Sequence, residues 1–205
     1  MGLYSKHVLP KLVHFACNQQ SVMSQRGKVV PLARGTVLEV GVGSGLNLPY
    51  YDAANVNKVW GLDPSPEMMG MAEKRAFSVD FDVEFIHLPC EDISLESKSV
   101  DTVLVTYTLC TIVDVFTALQ EMSRVLKPGG ELIFCEHGVA PDASVRRLQN
   151  FINPVWKCVG GGCNLNRDIP KLIELGDFRL EEVNKMYIPG WRPASFNYWG
   201  RASLR

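Results

Sequence analysis

From position 36 onward, short β-branched apolar runs alternate with stretches in which apolar residues recur every third or fourth place. That pattern predicts a parallel sheet with helices on both faces. The strand-like runs fall at 36–40, 56–62, 83–87, 100–106 and 131–137, and two more at 179–186 and 195–204 complete an expected seven-stranded, mostly parallel sheet with an antiparallel edge hairpin. Ser65, Pro66 and Glu67 supply a cap, a first-turn proline and an early acid, so a helix is expected directly after the second strand. After the fourth, Asp114 caps a helix whose Val115, Leu119, Met122 and Leu126 share one face until Lys127-Pro128-Gly129 stops it. A long helical segment at 143–159 then runs into Gly160-Gly161-Gly162-Cys163, and a short helix opens at Asp168 and Pro170 and closes at Gly176.

Nothing within the 205 residues reads as a linker, so one domain is expected: a helical lid at 1–28, a binding core at 36–137 and substrate-side elements at 138–205. Near the N-terminus, Lys6 and Lys11 flank only short apolar stretches, and no run approaches the ~18 apolar residues of a membrane span. The chain is therefore expected to be neither secreted nor anchored. An amphipathic first helix suits two roles, a peripheral contact with a membrane surface or a lid over an active site. With 21 basic and 22 acidic residues interspersed and a net charge of -1, the electrostatic footprint of a nucleic-acid binder is missing, and nucleic acid is excluded as an expected partner. The six cysteines form no CxxC pair and several sit in apolar runs, which fits a reducing cytoplasm.

The first strand ends in Glu39-Val40-Gly41-Val42-Gly43-Ser44-Gly45. Glycines at 41, 43 and 45 let the backbone turn tightly and approach a ligand closely. A dinucleotide fold prefers GxGxxG, but Leu46 occupies the final glycine position, and Glu39 would oppose a pyrophosphate while attracting a sulfonium cofactor that carries an ammonium group. The charge logic points to S-adenosylmethionine. Asp63, at the end of the second strand, suits both hydroxyls of a ribose. Pro64 and Met68 are placed to pack on sugar and adenine. Glu91 or Asp92 could receive the adenine amino group, or could simply form a solvated turn, and Thr106 closes the fourth strand beside the loop.

Residues 36–137 resemble the class I, Rossmann-like methyltransferases, with Val37 to Gly45 as the glycine motif, Asp63 as the second-strand acid and Val125-Leu126-Lys127-Pro128-Gly129-Gly130 as the turn before the fifth strand. Thr108-Leu109-Cys110, Glu136-His137, Asn153-Pro154-Val155-Trp156 and Gly162-Cys163-Asn164-Leu165-Asn166-Arg167 are similar to the methyltransferase-like seven group of animal thiol methyltransferases and its bacterial relatives. The resemblance implies the Rossmann-like fold, S-adenosylmethionine as cofactor and methylation of a small-molecule thiol or hydrosulfide. The generic core motifs are shared with quinone-pathway and phospholipid-headgroup methyltransferases, and a non-catalytic cofactor-binding module would keep the same loop.

Methyl transfer is an in-line displacement, so positioning alone supplies up to ~7–11 kcal/mol and a dedicated catalytic residue is optional. His137 at the end of the fifth strand is the candidate base or thiolate-orienting group, although a structural histidine explains it equally. Tyr107 is the second catalytic candidate. Cys110, Trp156, Asn164 and Arg167 are substrate-side candidates, with core packing or turn formation as the competing explanation. Cys158, Cys163 and His137 fit no common zinc-ligand spacing, and no metal is expected.

Overall fold

The computed structural model describes Tyr4 and residues 8–205; Lys6 and part of the expected 1–28 lid lie outside them. One sheet of seven strands runs in the order β3-β2-β1-β4-β5-β7-β6. The strands are β1 (Gly35–Val40), β2 (Val56–Leu62), β3 (Asp82–Ile86), β4 (Val100–Thr106), β5 (Leu126–His137), β6 (Phe178–Tyr187) and β7 (Phe196–Leu204). The first five pair in parallel, and β7 runs antiparallel to both β5 and β6, so the expected edge hairpin is present.

Among the described residues six α-helices surround the sheet: α1 (Leu9–Cys17), α2 (Gln20–Val29), α3 (Pro66–Ala76), α4 (Val115–Val125), α5 (Ala143–Val159) and α6 (Ile169–Leu175). None among the described residues is long and apolar enough to cross a membrane. The N-terminal segment forms two helices, because Gln19 takes an extended conformation between them. Ser65 accepts from the Met68 N–H and Asp114 from the Thr117 N–H, so both expected caps form. Where Lys127-Pro128-Gly129 was expected to separate α4 from β5, the turn instead lies inside a longer β5: Leu126 pairs with Val100, the register then shifts, and Glu131 pairs with Thr102. Gly129, at φ +82°, takes the left-handed bend of that irregularity. His87 falls just beyond β3.

Alternating strand residues feed two cores. Val103 and Val105 of β4 join Leu119, Met122 and Val125 of α4 on one face, while Leu104 meets Val29, Val30 and Ile133 on the other. Burying each such side chain contributes about 1.5–3 kcal/mol, which holds the helices against both faces. Chain order reverses between β1 and β4, the neighbours at the centre of the sheet. Crevices outside the carboxyl ends of strands at such a reversal are where open α/β sheets hold ligands.

Candidate functional site

The loop after β1 carries three glycines at positive φ, +71° at Gly41, +54° at Gly43 and +75° at Gly45. The N–H groups of Gly41 and Val42 both donate to the Leu62 carbonyl at the end of β2, which folds the loop back across the sheet end. Only small residues suit this path. A Cβ on Gly41 would lie 2.2 Å from Thr108 Oγ1, and one on Gly45 would lie 3.0 Å from Ala72 Cα in α3. Gly43 differs, because its nearest neighbours are the flexible Met68 Cε at 3.3 Å and Asp63 Oδ2 at 4.0 Å. Asp63 clamps the loop to α3: Oδ2 accepts from the Gly43 N–H at 3.0 Å and Oδ1 from the Ser65 N–H at 2.8 Å. Burial raises its pKa, opposed by those two hydrogen bonds.

A cavity of about 410 Å³ opens at this point. Of the residues singled out in the sequence, Gly41, Gly43, Asp63, Pro64, Met68, Glu91, Thr106 and Tyr107 line it. Glu91 also accepts from the Asp114 N–H at 3.3 Å, whereas Asp92 is exposed and outside the lining. Tyr107, itself at φ +54°, donates its hydroxyl to Asn197 Oδ1 at 2.6 Å, so that proton is already engaged.

Glu39 does not reach the cavity. It is buried, accepting from Asn47 Nδ2 at 2.9 Å and from the Tyr51 hydroxyl at 2.7 Å, and burial raises its pKa from an ordinary 4.5 to about 7. Its influence passes through Asn47, whose Oδ1 accepts from Arg26 Nη1 at 2.8 Å. Arg26 is the residue that sequence reasoning missed. It lies on α2, is 5% exposed, lines the cavity, donates to Thr106 Oγ1 at 2.6 Å and stands 5.2 Å over the Tyr107 ring. Among the described residues none of its hydrogen-bond partners is a carboxylate, and its buried Nε has no partner there. A lone arginine in an N-terminal helix carries no motif that marks it.

The N-terminal helices form one wall through Val13, Cys17 and Arg26. They are tied to the glycine loops from both sides: His14 Nδ1 lies 2.7 Å from Ser44 Oγ, and Leu9 occupies the space that a Cβ on Gly161 would need.

His137, Cys110, Trp156, Asn164 and Arg167 lie outside the cavity lining. Asn164 is structural in its contacts, since its backbone N–H and Nδ2 both donate to the Cys110 carbonyl, at 2.8 and 2.9 Å. Arg167 donates to the carbonyls of Leu109 and Ile112, holding the loop after β4. The Trp156 ring packs 5.2 Å from that of Trp191. Glu136 is fully buried, accepts from the N–H groups of Thr108 and Leu109 at 2.6 and 3.0 Å, and is raised by burial to about 7. Cys163 Sγ lies 3.3 Å from His137 Nε2, and Cys110 joins them, while Cys158 is exposed and apart. A hydrogen bond from Cys110, with the adjoining His137, holds the Cys163 thiol well below its ordinary range. Burial works against a charged His137 ring, and the Cys163 sulfur outweighs it.

A glycine loop crossing the end of β1, an acid ending β2 and a cavity at the reversal of strand order define a nucleoside-binding α/β enzyme site. The family comparison makes the class specific: residues 38–134 match the methyltransferase domain family. Thiol S-methyltransferase TMT1B from Rattus norvegicus is 35% identical over 170 residues, covering 80% of this chain and 65% of that protein. Human TMT1B is 34% identical over 174 residues, covering 81% of this chain and 69% of that protein. The chain thus spans about two thirds of the length of these relatives. The crystal structure of a SAM-dependent methyltransferase from Thermotoga maritima has the same fold, with TM-score 0.67 at 21% identity over 98% of this chain and 99% of that one. The chain belongs to the class I S-adenosylmethionine-dependent methyltransferases, close to the thiol methyltransferases, and S-adenosylmethionine is its cofactor. The residues fit that group: Gly43 leaves a cradle that a Cβ would fill, and Arg26 offers an unpartnered buried guanidinium N–H.

Proposed function

We propose that the chain methylates the sulfur of a small thiol or hydrosulfide. When bound, S-adenosylmethionine supplies an electrophilic methyl group on a sulfonium. Asp63 would accept from the ribose hydroxyls, Pro64 and Met68 would pack on sugar and adenine, and Glu91 would receive the adenine amino group. Arg26 would hold the cofactor's α-carboxylate, oriented by Thr106 and by Asn47, which Glu39 fixes in turn. In this reading α1 and α2 act as the lid.

The observation that carries the thiol reading is the lining itself. Beside Asp63, Arg26 and Glu91, the cavity wall carries the apolar Val13, Leu88, Ile112 and Val113 with Cys17 and the hydroxyls of Tyr107, Thr108 and Thr111, and among the described residues its lining holds neither histidine nor lysine. A hydroxyl or carbon acid would need a positioned base there. A thiol with a pKa of about 8.5 is already a few per cent thiolate at neutral pH and needs only alignment with the methyl carbon. The likeness to two thiol S-methyltransferases supports the same choice.

The test is turnover by the purified chain on a panel of small apolar thiols and hydrosulfide, each run beside its hydroxyl and amine isosteres. Product is followed by mass spectrometry. Methylation restricted to the sulfur compounds is expected. Methylation of a quinol or phospholipid fraction with no thiol turnover would replace this reading with the quinone-pathway or headgroup alternative, and cofactor binding without turnover on any acceptor would indicate a regulatory module.

A further inference from the structure

The cluster behind the cavity wall has no part in the reaction proposed above. The ligand atoms of Cys110, His137 and Cys163 all lie within 4.8 Å of one another, with Cys163 Sγ 3.3 Å from His137 Nε2. Zinc bonds of about 2.3 Å to sulfur and 2.0–2.1 Å to nitrogen, arranged tetrahedrally, place such donors roughly 3.5–3.8 Å apart. The 3.3 Å separation falls just short of that range and the 4.8 Å bound lies beyond it, so a central ion requires the three side chains to adjust around it.

The three donors come from separate segments, the loop after β4, the end of β5 and the loop after α5, and backbone contacts fasten these segments to one another in addition to the contacts between the donors themselves. The two Asn164 bonds to the Cys110 carbonyl fasten the first loop to the third, and His137 is fixed opposite Asn197 in the β5–β7 ladder. Among the described residues, five buried side-chain polar atoms lack a partner. Two of them, His137 Nδ1 and Trp156 Nε1, belong to side chains at this cluster.

We propose that Cys110, His137 and Cys163 bind one thiophilic divalent cation, zinc, through two sulfurs and one imidazole nitrogen. Binding releases the remaining thiol protons to solvent, and the neutral imidazole donates its lone pair. Three protein donors leave the fourth tetrahedral position open to water or another donor, as in zinc sites that are not closed. The ion would pin the loop at 160–163, which carries the cavity residue Gly161, to the carboxyl end of the sheet. The proposal stands on this geometry and is independent of the methyl acceptor's identity.

Titration of the reduced, metal-stripped 205-residue chain with cobalt(II) tests it, because cobalt bound to thiolate gives an intense near-ultraviolet charge-transfer band. The expected result is a band that saturates at one equivalent and is displaced by zinc. It should be lost or strongly reduced in Cys110→Ser and Cys163→Ser and retained in Cys158→Ser. His137→Gln should weaken cobalt binding about tenfold or more. In case a variant fails to fold, the unfolding midpoint of the parent chain gives a separate reading, which zinc should raise and a chelator should return to its starting value. No band from the parent chain at stoichiometric cobalt, a band unchanged in both serine variants, or a midpoint that zinc does not move would each overturn the proposal.

Discussion

Gly43 is the residue at which one methyl group separates cofactor binding from folding. Alanine there must keep φ near +54°, a strain of roughly 1–2 kcal/mol for an L-residue. The added Cβ meets only the mobile end of Met68 at 3.3 Å, so little further cost is expected. At about 2–4 °C per kcal/mol for a chain of this size, Gly43→Ala should lower the unfolding midpoint by roughly 2–8 °C. The same methyl group enters the cradle between Gly41, Met68 and Asp63, and S-adenosylmethionine should bind at least ~10-fold more weakly, a loss of about 1.4 kcal/mol. Gly41→Ala is the contrast. Its Cβ would lie 2.2 Å from Thr108 Oγ1 and 2.8 Å from Thr108 Cβ, and Thr108 cannot retreat without breaking the bond from its N–H to Glu136. A loss above about 4 kcal/mol is expected there. Thermal unfolding and calorimetric titration of both variants provide the comparison. Undiminished cofactor affinity in Gly43→Ala, or equal stability of the two variants, would refute this assignment of the loop.

Glu39, raised by burial to about 7 from an ordinary 4.5, favours folding while protonated; its contribution is fully present below about 4.5 and is lost as pH rises through 7. That rise corresponds to roughly 3 kcal/mol, so denaturant unfolding from pH 5 to 8 should show the cofactor-free chain weakening, with Glu39→Gln flattening part of the slope and buried Glu136 supplying the rest. Arg26→Met should weaken S-adenosylhomocysteine binding by about 10-fold or more, the loss of one charged hydrogen bond, while 5′-methylthioadenosine, which lacks the carboxylate, binds as before; equal losses for both ligands would count against Arg26 as the carboxylate partner. Gln149, fully buried, accepts from the Ala140 N–H and donates to the carbonyls of Gly138, Leu165 and Pro193. Gln149→Leu should cost about 2–4 kcal/mol in urea unfolding by leaving those groups unpaired, and a loss under 1 kcal/mol would contradict that role.

The parallel core was legible because its cues are local. A strand, its glycine turn, its acid and the caps of α3 and α4 each lie within a few residues, and the backbone demands of that path select residue types directly. The β5 boundary was misplaced because Pro128 and Gly129 signal a chain break equally well inside a bulged strand. What escaped the sequence was assembled by distance along the chain. Arg26 meets Thr106 across 80 positions, and Cys163 meets His137 across 26, with Cys110 rather than Cys158 beside them. The expected direct attraction between Glu39 and the cofactor was drawn from sequence position alone; the side chain turns into the core and acts through Asn47.

Calorimetric titration of the chain with S-adenosylmethionine, S-adenosylhomocysteine and a nicotinamide dinucleotide, with Asp63→Ala in parallel, decides whether this cavity holds the methyl donor. Saturable one-to-one binding of both adenosyl compounds is expected, abolished in Asp63→Ala and not competed by the dinucleotide. Preference for the dinucleotide, or full affinity in Asp63→Ala while that variant stays folded, would contradict the assignment of this cavity to the methyl donor.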